Sequence, residues 1–415
     1  MRQALFFVGL VLSLPCAAWA QGDPLGPEFQ VNTYTLDLQV AARVAADPSG
    51  NFVVVWESLG QDGSSFGSFG QRYSGSGAPL GPEFRANTFT TGSQPAFSVA
   101  ADAAGNFIVV WQGANQDGSS YGVFGQRFAT SGIPLGPEFR ANTYTTAAQG
   151  FPAVASDAAG NFVIVWQSDG QDGSNRGVFG QRYASSGAPL GPEFRVNTTT
   201  TGDEQGPAVA AEPTGNFVVV WTSPIGSTPS VFGQRYASSG APLGSQFLVN
   251  SAPAAIAVTL AVAADAAGDF VVVWAGFLEP GSYFDVHGRR FASSGAPLGP
   301  EFRVNTFTPD YQSYPSVASD PVGNFVVVWA SDTLDGSDKG VFGQRYLGSG
   351  VPVGPEFRVN TYTTNYQSQP SVAADPSGNF VVVWHSVNQD GSSMGVFGQR
   401  YGRIVPVELT RLTVE

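Results

Sequence analysis

Acidic side chains recur at matching positions in the sequence, and one group belongs to loops with the tripeptide Asp-Gly-Ser. The aspartates of these loops are Asp62, Asp117, Asp172, Asp335 and Asp390. A ring of carboxylate and hydroxyl oxygens could bind Ca²⁺ or the hydroxyl groups of a sugar. One acid per loop falls short of the roughly six to eight oxygens that Ca²⁺ takes, and Asp-Gly is also a common hairpin turn. We therefore predict mainly a turn role, with Ca²⁺ as the one cofactor that the pattern suggests.

Catalytic or ligand-binding groups are expected to break the symmetry of a repeat, and the sequence breaks most clearly in two places. One contains Glu279 and His287, and the other contains Asp332 beside Asp335. The second histidine, His385, is not at a position equivalent to His287, and neither has a metal-ligand spacing. The sequence contains no Gly-x-Ser-x-Gly nucleophile motif and no phosphate-binding loop. It therefore predicts no catalytic residues and no metal site.

Tyrosines and arginines supply two further candidate surfaces. Tyr362 and Tyr366 belong to long loops, where an aromatic side chain could stack on a sugar or pack between two structural units. The sequence leaves both roles open. An arginine follows glutamine in nearly every unit, as at Arg72, and a row of such arginines could bind acidic glycans. The excess of acidic residues instead favours pairing of each arginine with a carboxylate of its own or a neighbouring unit.

An internal repeat of about 55 residues provides the elements that must position these side chains. Tryptophan closes an apolar run seven times, with successive spacings of 55, 55, 55, 53, 55 and 55 residues, at Trp56, Trp111, Trp166, Trp221, Trp274, Trp329 and Trp384. The Gln-Arg dipeptide and the Phe of Gly-Pro-Glu-Phe follow the same spacing. The pattern predicts one repeated unit rather than several unrelated domains.

The sequence pattern of each unit predicts four short strands. In the last unit these are residues 369–374, then 380–384 after a Pro- and Gly-containing turn, and then 396–401 after a longer loop. The Gly-Pro-Glu-Phe segment forms the fourth strand in the other units. The second strand is apolar on both faces, so both faces must be covered, as they are when units stack side by side.

The phase of the repeat predicts a closed ring. The chain outside the leader begins with a fourth-type strand and ends with a third-type strand. Pairing these two ends completes the last unit and hides the edges that an open array would expose. We predict an all-β, seven-bladed β-propeller with four antiparallel strands per blade, over residues 21–402. An open solenoid and a sandwich-like stack are the alternatives.

The segment Ser-Val-Ala-Ala-Asp-Pro-Ser-Gly-Asn-Phe-Val-Val-Val-Trp, at residues 371–384, resembles known repeat families. It is similar to the Asp-box turns of sialidase-type propellers, and the unit resembles the delta-60 class of repeats in bacterial secreted proteins. The resemblance covers about 380 residues and implies a propeller. It implies no activity, because the sialidase arginine cluster and acid/base residues have no counterparts at matching positions.

Composition limits the partners of the protein. A formal net charge of −13 argues against nucleic acid and anionic membranes as partners. Residues 1–20 have the pattern of a signal peptide, with Arg2 before an apolar run and Ala18-Trp19-Ala20 as the cleavage site. Cys16, the one cysteine, lies in a poor context for a lipid anchor. We expect a secreted, periplasmic or cell-surface monomer without a membrane span, followed by an extended tail at 403–415.

Function follows less directly from the sequence than fold. The long loops between strands two and three, and between strand four and the next unit, lie on one face, which is the expected binding surface. The main hypothesis is a non-catalytic module that binds a glycan or a surface protein there. The alternatives are a sialidase-like or lyase-like glycan enzyme and a purely structural spacer.

Overall fold

The computed structural model describes residues 24–226, 228–251, 259–276, 283–336 and 338–405. The predicted signal peptide, Glu279 and the tail from residue 406 lie outside these residues. The described residues form 28 β-strands and no helix, and the strands are arranged as seven four-stranded sheets. All strand pairs within the sheets are antiparallel, and each sheet is one blade. The prediction of a seven-bladed propeller is confirmed.

The four strands of each blade lie side by side, in order from the central axis to the outer edge. The inner strands are Gln39–Ala46, Ala96–Ala101, Gln149–Ser156, Gln205–Ala211, Thr259–Ala264, Gln312–Ser319 and Gln367–Ala374. The second strands are Phe52–Leu59, Phe107–Ala114, Phe162–Asp169, Phe217–Ile225, Phe270–Gly276, Phe325–Asp332 and Phe380–Val387. The third strands are Phe66–Tyr73, Tyr121–Phe128, Arg176–Tyr183, Thr228–Tyr236, Asp285–Phe291, Lys339–Tyr346 and Met394–Tyr401. The outer strands are Phe84–Arg85, Phe139–Arg140, Phe194–Arg195, Phe247–Leu248, Phe302–Arg303, Pro352–Arg358 and, for blade 7, Phe29–Gln30.

The hydrophobic core lies between neighbouring blades. The seven repeated tryptophans are fully buried. In blade 1, Val54 and Trp56 pack against Val381 of blade 7, whereas Val53 and Val55 pack against blade 2. Burial of each such side chain stabilises the fold by roughly 1.5–3 kcal/mol. The second strand is therefore apolar on both faces because each face contacts a different blade.

The two ends of the chain meet in one sheet, as the phase of the repeat predicts. Phe29 and Gln30 pair with Gly398 and Phe397 of the last third strand. The amide of Val31 also donates to the carbonyl of Val396 over 2.8 Å. The N-terminal strand therefore completes blade 7.

A side chain directly before the repeated phenylalanine of each outer strand, glutamate in six blades and glutamine in blade 4, also links neighbouring blades. Glu28 Oε2 accepts hydrogen bonds from the amide and the hydroxyl of Thr361, at 2.7 and 2.8 Å. The same latch joins the other blades, through the pairs Glu83–Thr33, Glu138–Thr88, Glu193–Thr143, Gln246–Thr198, Glu301–Ser251 and Glu356–Thr306. Because the latch at Glu28 is equivalent to the other six, the ring closes with the ordinary geometry between blades.

The short turns form the opposite face. Asp47 Oδ1 accepts the amides of Ser49 and Asn51 at 2.8 and 3.0 Å, as expected for a capped turn. The arginines of the Gln-Arg dipeptides also lie on this face. Arg72, for example, donates to the carbonyl of Thr130 in the next blade over 2.5 Å. The prediction that these arginines pair with acids is wrong for six of the seven, whose partners are backbone carbonyls: Arg72, Arg127, Arg182, Arg235, Arg290 and Arg400. The seventh, Arg345, is buried against the aromatic rings of Phe357, Phe380 and Tyr401.

Candidate functional site

The position directly after each tryptophan lies near the end of the second strand, on the long-loop side of the blade. In blade 1 this residue pairs with Val40 at the start of the inner strand, and in blade 7 it pairs with Ser368. The inner strands of adjacent blades contact each other around the axis, where a propeller has its central channel, and the side chain at this position reaches the inner strand of the next blade beside that channel. In blade order it is occupied by Glu57, Gln112, Gln167, Thr222, Ala275, Ala330 and His385. The two titratable residues of this ring stand in blades 1 and 7, which are neighbours at the ring closure.

The glutamines at this position show how the channel wall is built. Gln112 Oε1 accepts the amide of Phe151 over 3.2 Å, and Gln167 Oε1 accepts the amide of Gly206 over 3.2 Å. Each bond crosses to a bulge in the next inner strand. The bulge residue has a positive φ of 51–59° at Ala41, Phe151, Gly206, Tyr314 and Gln369. Such left-handed backbone is uncommon for bulky side chains and is found often at functional sites.

Glu57 is the carboxyl group of this wall. Burial raises its pKa to about 7, while the nearby positive charge of Arg43 opposes the rise. Arg43 lies on the inner strand of the same blade, opposite Val55. The other six blades carry serine or alanine at its position, namely Ser98, Ala153, Ala208, Ala261, Ser316 and Ser371. A carboxyl group with a pKa near 7 is partly protonated at neutral pH, as a general acid must be.

His385 is the imidazole of the same ring and is almost fully buried. Burial, together with the positive charges of Arg43 and Lys339, lowers the pKa of His385 to about 4. The ring is therefore neutral at neutral pH. Its Nδ1 atom is buried, and the described residues offer it no hydrogen-bond partner.

Two side chains, Lys339 of blade 6 and Tyr366 of the loop after it, stack one on the other beside His385. The ring of Tyr366 stacks on the imidazole with centroids 5.6 Å apart and an angle of 20° between the planes. Lys339 Nζ lies 5.4 Å from the centroid of the Tyr366 ring and 3.0 Å from Asp332 Oδ1. Two of the sequence candidates, Tyr366 and Asp332, therefore belong to this site. Tyr366 packs against protein groups of two blades, which is the wedge role left open by the sequence.

The aspartates of the Asp-Gly-Ser loops are placed apart from this site, one in each of five blades. Asp62 accepts the amide of Ser64 at 3.1 Å and the side-chain amide of Asn87, beyond the outer strand, at 3.5 Å. Asp117, Asp172 and Asp335 make the same bond to Asn142, Asn197 and Asn360, and Asp390 accepts instead from Gln30. These contacts join each loop to the outer edge of its own blade. Tyr362 is in a neighbouring loop, where its carbonyl accepts a hydrogen bond from Asn360.

His287 occupies the interior of blade 5. It stands where other blades carry phenylalanine, stacks on Trp274 with centroids 6.1 Å apart, and is only 1% exposed. Its Nδ1 lies 3.9 Å from Glu301 Oε1, and burial lowers its pKa. The side chain is therefore packed inside the blade and is not part of an exposed binding surface.

A groove lies at the outer edge between blades 5 and 6. It has a volume of about 820 Å³ and is lined by Arg303, Asp335, Glu356 and Arg358, among others. An equivalent groove of about 560 Å³ lies between blades 2 and 3. Because repeated residues form these grooves, they follow from the architecture. Arg43, Glu57 and His385 differ from the residues at the equivalent positions of the other blades, whereas the Asp332–Lys339 pair has a counterpart in blade 3, Asp169 with Arg176. We therefore place the candidate site around Arg43, Glu57 and His385.

Two features are absent from the part of the chain that the structure describes. No group of three or more His, Cys, Asp or Glu side chains has an arrangement that could hold a metal ion. No helix there is long and apolar enough to cross a membrane.

Arg43, Glu57 and Lys339 are not among the residues predicted from the sequence, and His385 was expected to have no metal-binding role. A signal for them was present in the alignment of the repeats. Arg43 replaces serine or alanine, and Glu57 replaces glutamine, threonine or alanine. Lys339 is the only lysine of the chain. Arg43 and Glu57 are the only charged residues at their positions of the repeat, whereas the position of Lys339 also carries Arg176 in blade 3.

Comparison with solved structures shows several propellers of the same fold. A protein of unknown function from Dyadobacter fermentans is 11% identical, with a TM-score of 0.53, and the match covers 91% of this chain and 98% of that one. An α-L-arabinofuranosidase from Fusarium graminearum is 11% identical, with a TM-score of 0.50 and coverage of 91% and 98%. The propeller domain of the Trilobed protease from Pyrococcus furiosus is 7% identical, with a TM-score of 0.50 and coverage of 90% and 97%. No protein-family model and no curated protein sequence matches the chain.

These comparisons correct the functional expectation. The prediction of a non-catalytic binding module, and of no enzyme activity, is wrong because the solved propellers that match nine-tenths of this chain include a glycoside hydrolase. At 11% identity the likeness itself shows the seven-bladed fold that this chain shares with its distant structural neighbours.

Proposed function

We propose that the protein is a glycoside hydrolase whose active site is the channel wall of blades 6, 7 and 1, with Glu57 as the proton donor. The observation that carries the proposal is a buried carboxyl group, with a pKa raised to about 7, at the one place where the channel ring carries charge. Hydrolysis of a glycosidic bond needs an acid that is still protonated at the working pH. The arabinofuranosidase with the same fold makes furanosides the first substrates to test.

In this mechanism Glu57 protonates the glycosidic oxygen as the bond between that oxygen and the anomeric carbon breaks. A second carboxylate must then either activate water or attack the anomeric carbon. Asp332 is the candidate for this group, because it lies on the same face and is paired with Lys339 at 3.0 Å. Arg43 limits how far burial can raise the pKa of Glu57, and the neutral His385 adds no competing charge at neutral pH.

The proposal is tested by turnover on aryl α-L-arabinofuranosides, arabinan and sialosides. We expect turnover on at least one of them, with a loss of activity as Glu57 deprotonates near pH 7. Glu57→Gln should lower kcat by about 10²- to 10⁴-fold, the usual contribution of general acid catalysis. Asp332→Asn should give a comparable loss.

A matched control comes from the same ring of residues. Gln112→Ala changes the equivalent position of blade 2, where no titratable group stands, and should leave kcat within a few-fold of the wild type. Full activity of Glu57→Gln, or no turnover on any substrate of the panel, would overturn the proposal.

We also propose, on the sequence alone, that the protein is exported and belongs with the bacterial secreted propeller repeats that it resembles. The support is the signal pattern of residues 1–20 and the repeated segment at 371–384. N-terminal sequencing of the protein recovered from a bacterial host should find Gln21 as the first residue. A protein that keeps residues 1–20 would contradict the proposal.

A further inference from the structure

The candidate site concentrates positive charge in an acidic protein. The chain has a net charge of −13 and a single lysine, Lys339. The positive charges of Arg43 and Lys339 both act on the buried imidazole of His385, from two different blades. Two permanent cations therefore converge on one part of the channel wall, although the protein as a whole repels anions.

The two cations differ in how they are paired. Lys339 contacts Asp332 at 3.0 Å and the face of Tyr366. Arg43 donates from one Nη atom to the carbonyl of Ala42 over 2.9 Å. Within the part of the chain that is described, the ion pairs do not include Arg43, so Glu57 affects it only from beyond 4.0 Å.

Most N–H donors of the Arg43 guanidinium therefore make no hydrogen bond to the described residues. A guanidinium carries five N–H donors in a planar fork that matches the two oxygens of a carboxylate. The residue as a whole is intermediate in exposure, and burial of the guanidinium lowers its pKa, so an anion placed beside it would offset the cost of burying its charge. His385 adds a second sign of an incomplete site, because its Nδ1 is buried without a partner among the described residues.

We propose that this site takes acidic glycans and that Arg43 binds the carboxylate of a uronic acid residue, with Lys339 adding attraction at longer range. The inference rests on the proposed function, because it names the substrate class of the same site. A neutral sugar would leave the guanidinium fork without a counter-charge. A uronate supplies that charge on the sugar itself, next to the ring whose glycosidic oxygen Glu57 would protonate.

The test compares two trisaccharides that differ in charge, trigalacturonic acid and galactotriose, by isothermal titration calorimetry at low salt. We expect trigalacturonic acid to bind more tightly, with an affinity that falls as salt is added. Arg43→Ser inserts the residue that blades 2, 6 and 7 carry at this position, so the blade should still fold. It should weaken binding of the uronate by about 10- to 100-fold, as expected for loss of a charge-assisted hydrogen bond.

Two other variants separate a specific site from general attraction. Lys339→Met inserts the residue that blade 7 has at the equivalent position, Met394, and should weaken binding a few-fold while reducing its salt dependence. Arg85→Ser removes the same charge as Arg43→Ser from an exposed position on an outer strand, and should leave binding unchanged. Equal weakening by Arg85→Ser, or equal affinity for the two trisaccharides, would overturn the inference.

The outcome also distinguishes this inference from the proposed function. Turnover that depends on Glu57 but ignores both substrate charge and Arg43→Ser would refute the acidic substrate and keep the hydrolase. Binding of trigalacturonic acid that depends on Arg43, without turnover of any glycan, would keep the acid-binding site and refute the hydrolase.

Discussion

Glu57→Gln should make the protein more stable, and only above the pH at which a free glutamate ionises. Burial raises the pKa of Glu57 from its ordinary value of 4.5 to about 7. One pKa unit corresponds to about 1.4 kcal/mol, so the difference amounts to roughly 3 kcal/mol at most. The side chain is mostly buried, and solvent screening reduces this value only in part.

The sign follows from proton binding. Between pH 4.5 and about 7 the folded protein keeps a proton on Glu57 that the unfolded chain has lost. The free energy of unfolding therefore falls as the pH rises through this window and stays low above pH 7. Glutamine cannot ionise, so the variant lacks this loss. Its advantage over the wild type should be near zero at pH 4 and approach roughly 3 kcal/mol at pH 8.

Urea unfolding of the wild type and Glu57→Gln at pH 4, 5.5, 7 and 8 measures this difference. Gln112→Glu provides the converse control, because it buries a carboxyl group at the equivalent place in blade 2, where Ser98 replaces the arginine. Without a nearby guanidinium, its stability should fall with pH more steeply than that of the wild type. Parallel pH profiles for the wild type and Glu57→Gln would refute the reasoning.

Three further predictions concern the repeated framework. Glu204 is fully buried, burial raises its pKa, and five other blades carry glutamine at its position. Glu204→Gln should therefore raise the free energy of unfolding at pH 7 by about 1–3 kcal/mol, as measured by urea titration. Glu138→Ala should cost about 1–3 kcal/mol through loss of an interblade latch, whereas Glu138→Gln, the residue found in the latch of blade 4, should cost less than half as much. Gly105→Ala should lower the melting temperature more than Gly118→Ala: both have φ near 80–90°, but only the first would place a Cβ 2.8 Å from Asp47 Oδ2.

The fold was predictable from the sequence because its main determinants are repeated. Seven tryptophans at constant spacing marked the second strands, and apolar residues on both faces required a blade on each side. The leading fourth-type strand predicted the pairing of Phe29 with Gly398. The latches and the carbonyl partners of the arginines were not predictable, since they depend on how far apart neighbouring blades stand.

The candidate site was predictable only in part. The long-loop side and the importance of breaks in the repeat were expected, and Asp332 and Tyr366 were among the named residues. The breaks chosen first were those in loops, at blades 5 and 6. Glu57 and His385 were not predicted as site residues, because a single polar residue directly after a tryptophan is also typical of the exposed end of a strand. The ring formed by these positions, with blades 7 and 1 as neighbours, exists only after closure.

The repeat itself supplies the strongest argument that the channel cluster serves function. Six blades fold with serine or alanine where blade 1 has Arg43, and none of the other five blades needs an ionisable group where blades 1 and 7 have Glu57 and His385. Burying such groups disfavours their charged forms, and the shifted pKa values of Glu57 and His385 record that penalty. A framework that folds without these groups gains no stability from them. Their presence together, in two neighbouring blades at the channel, is therefore best explained by chemistry performed there.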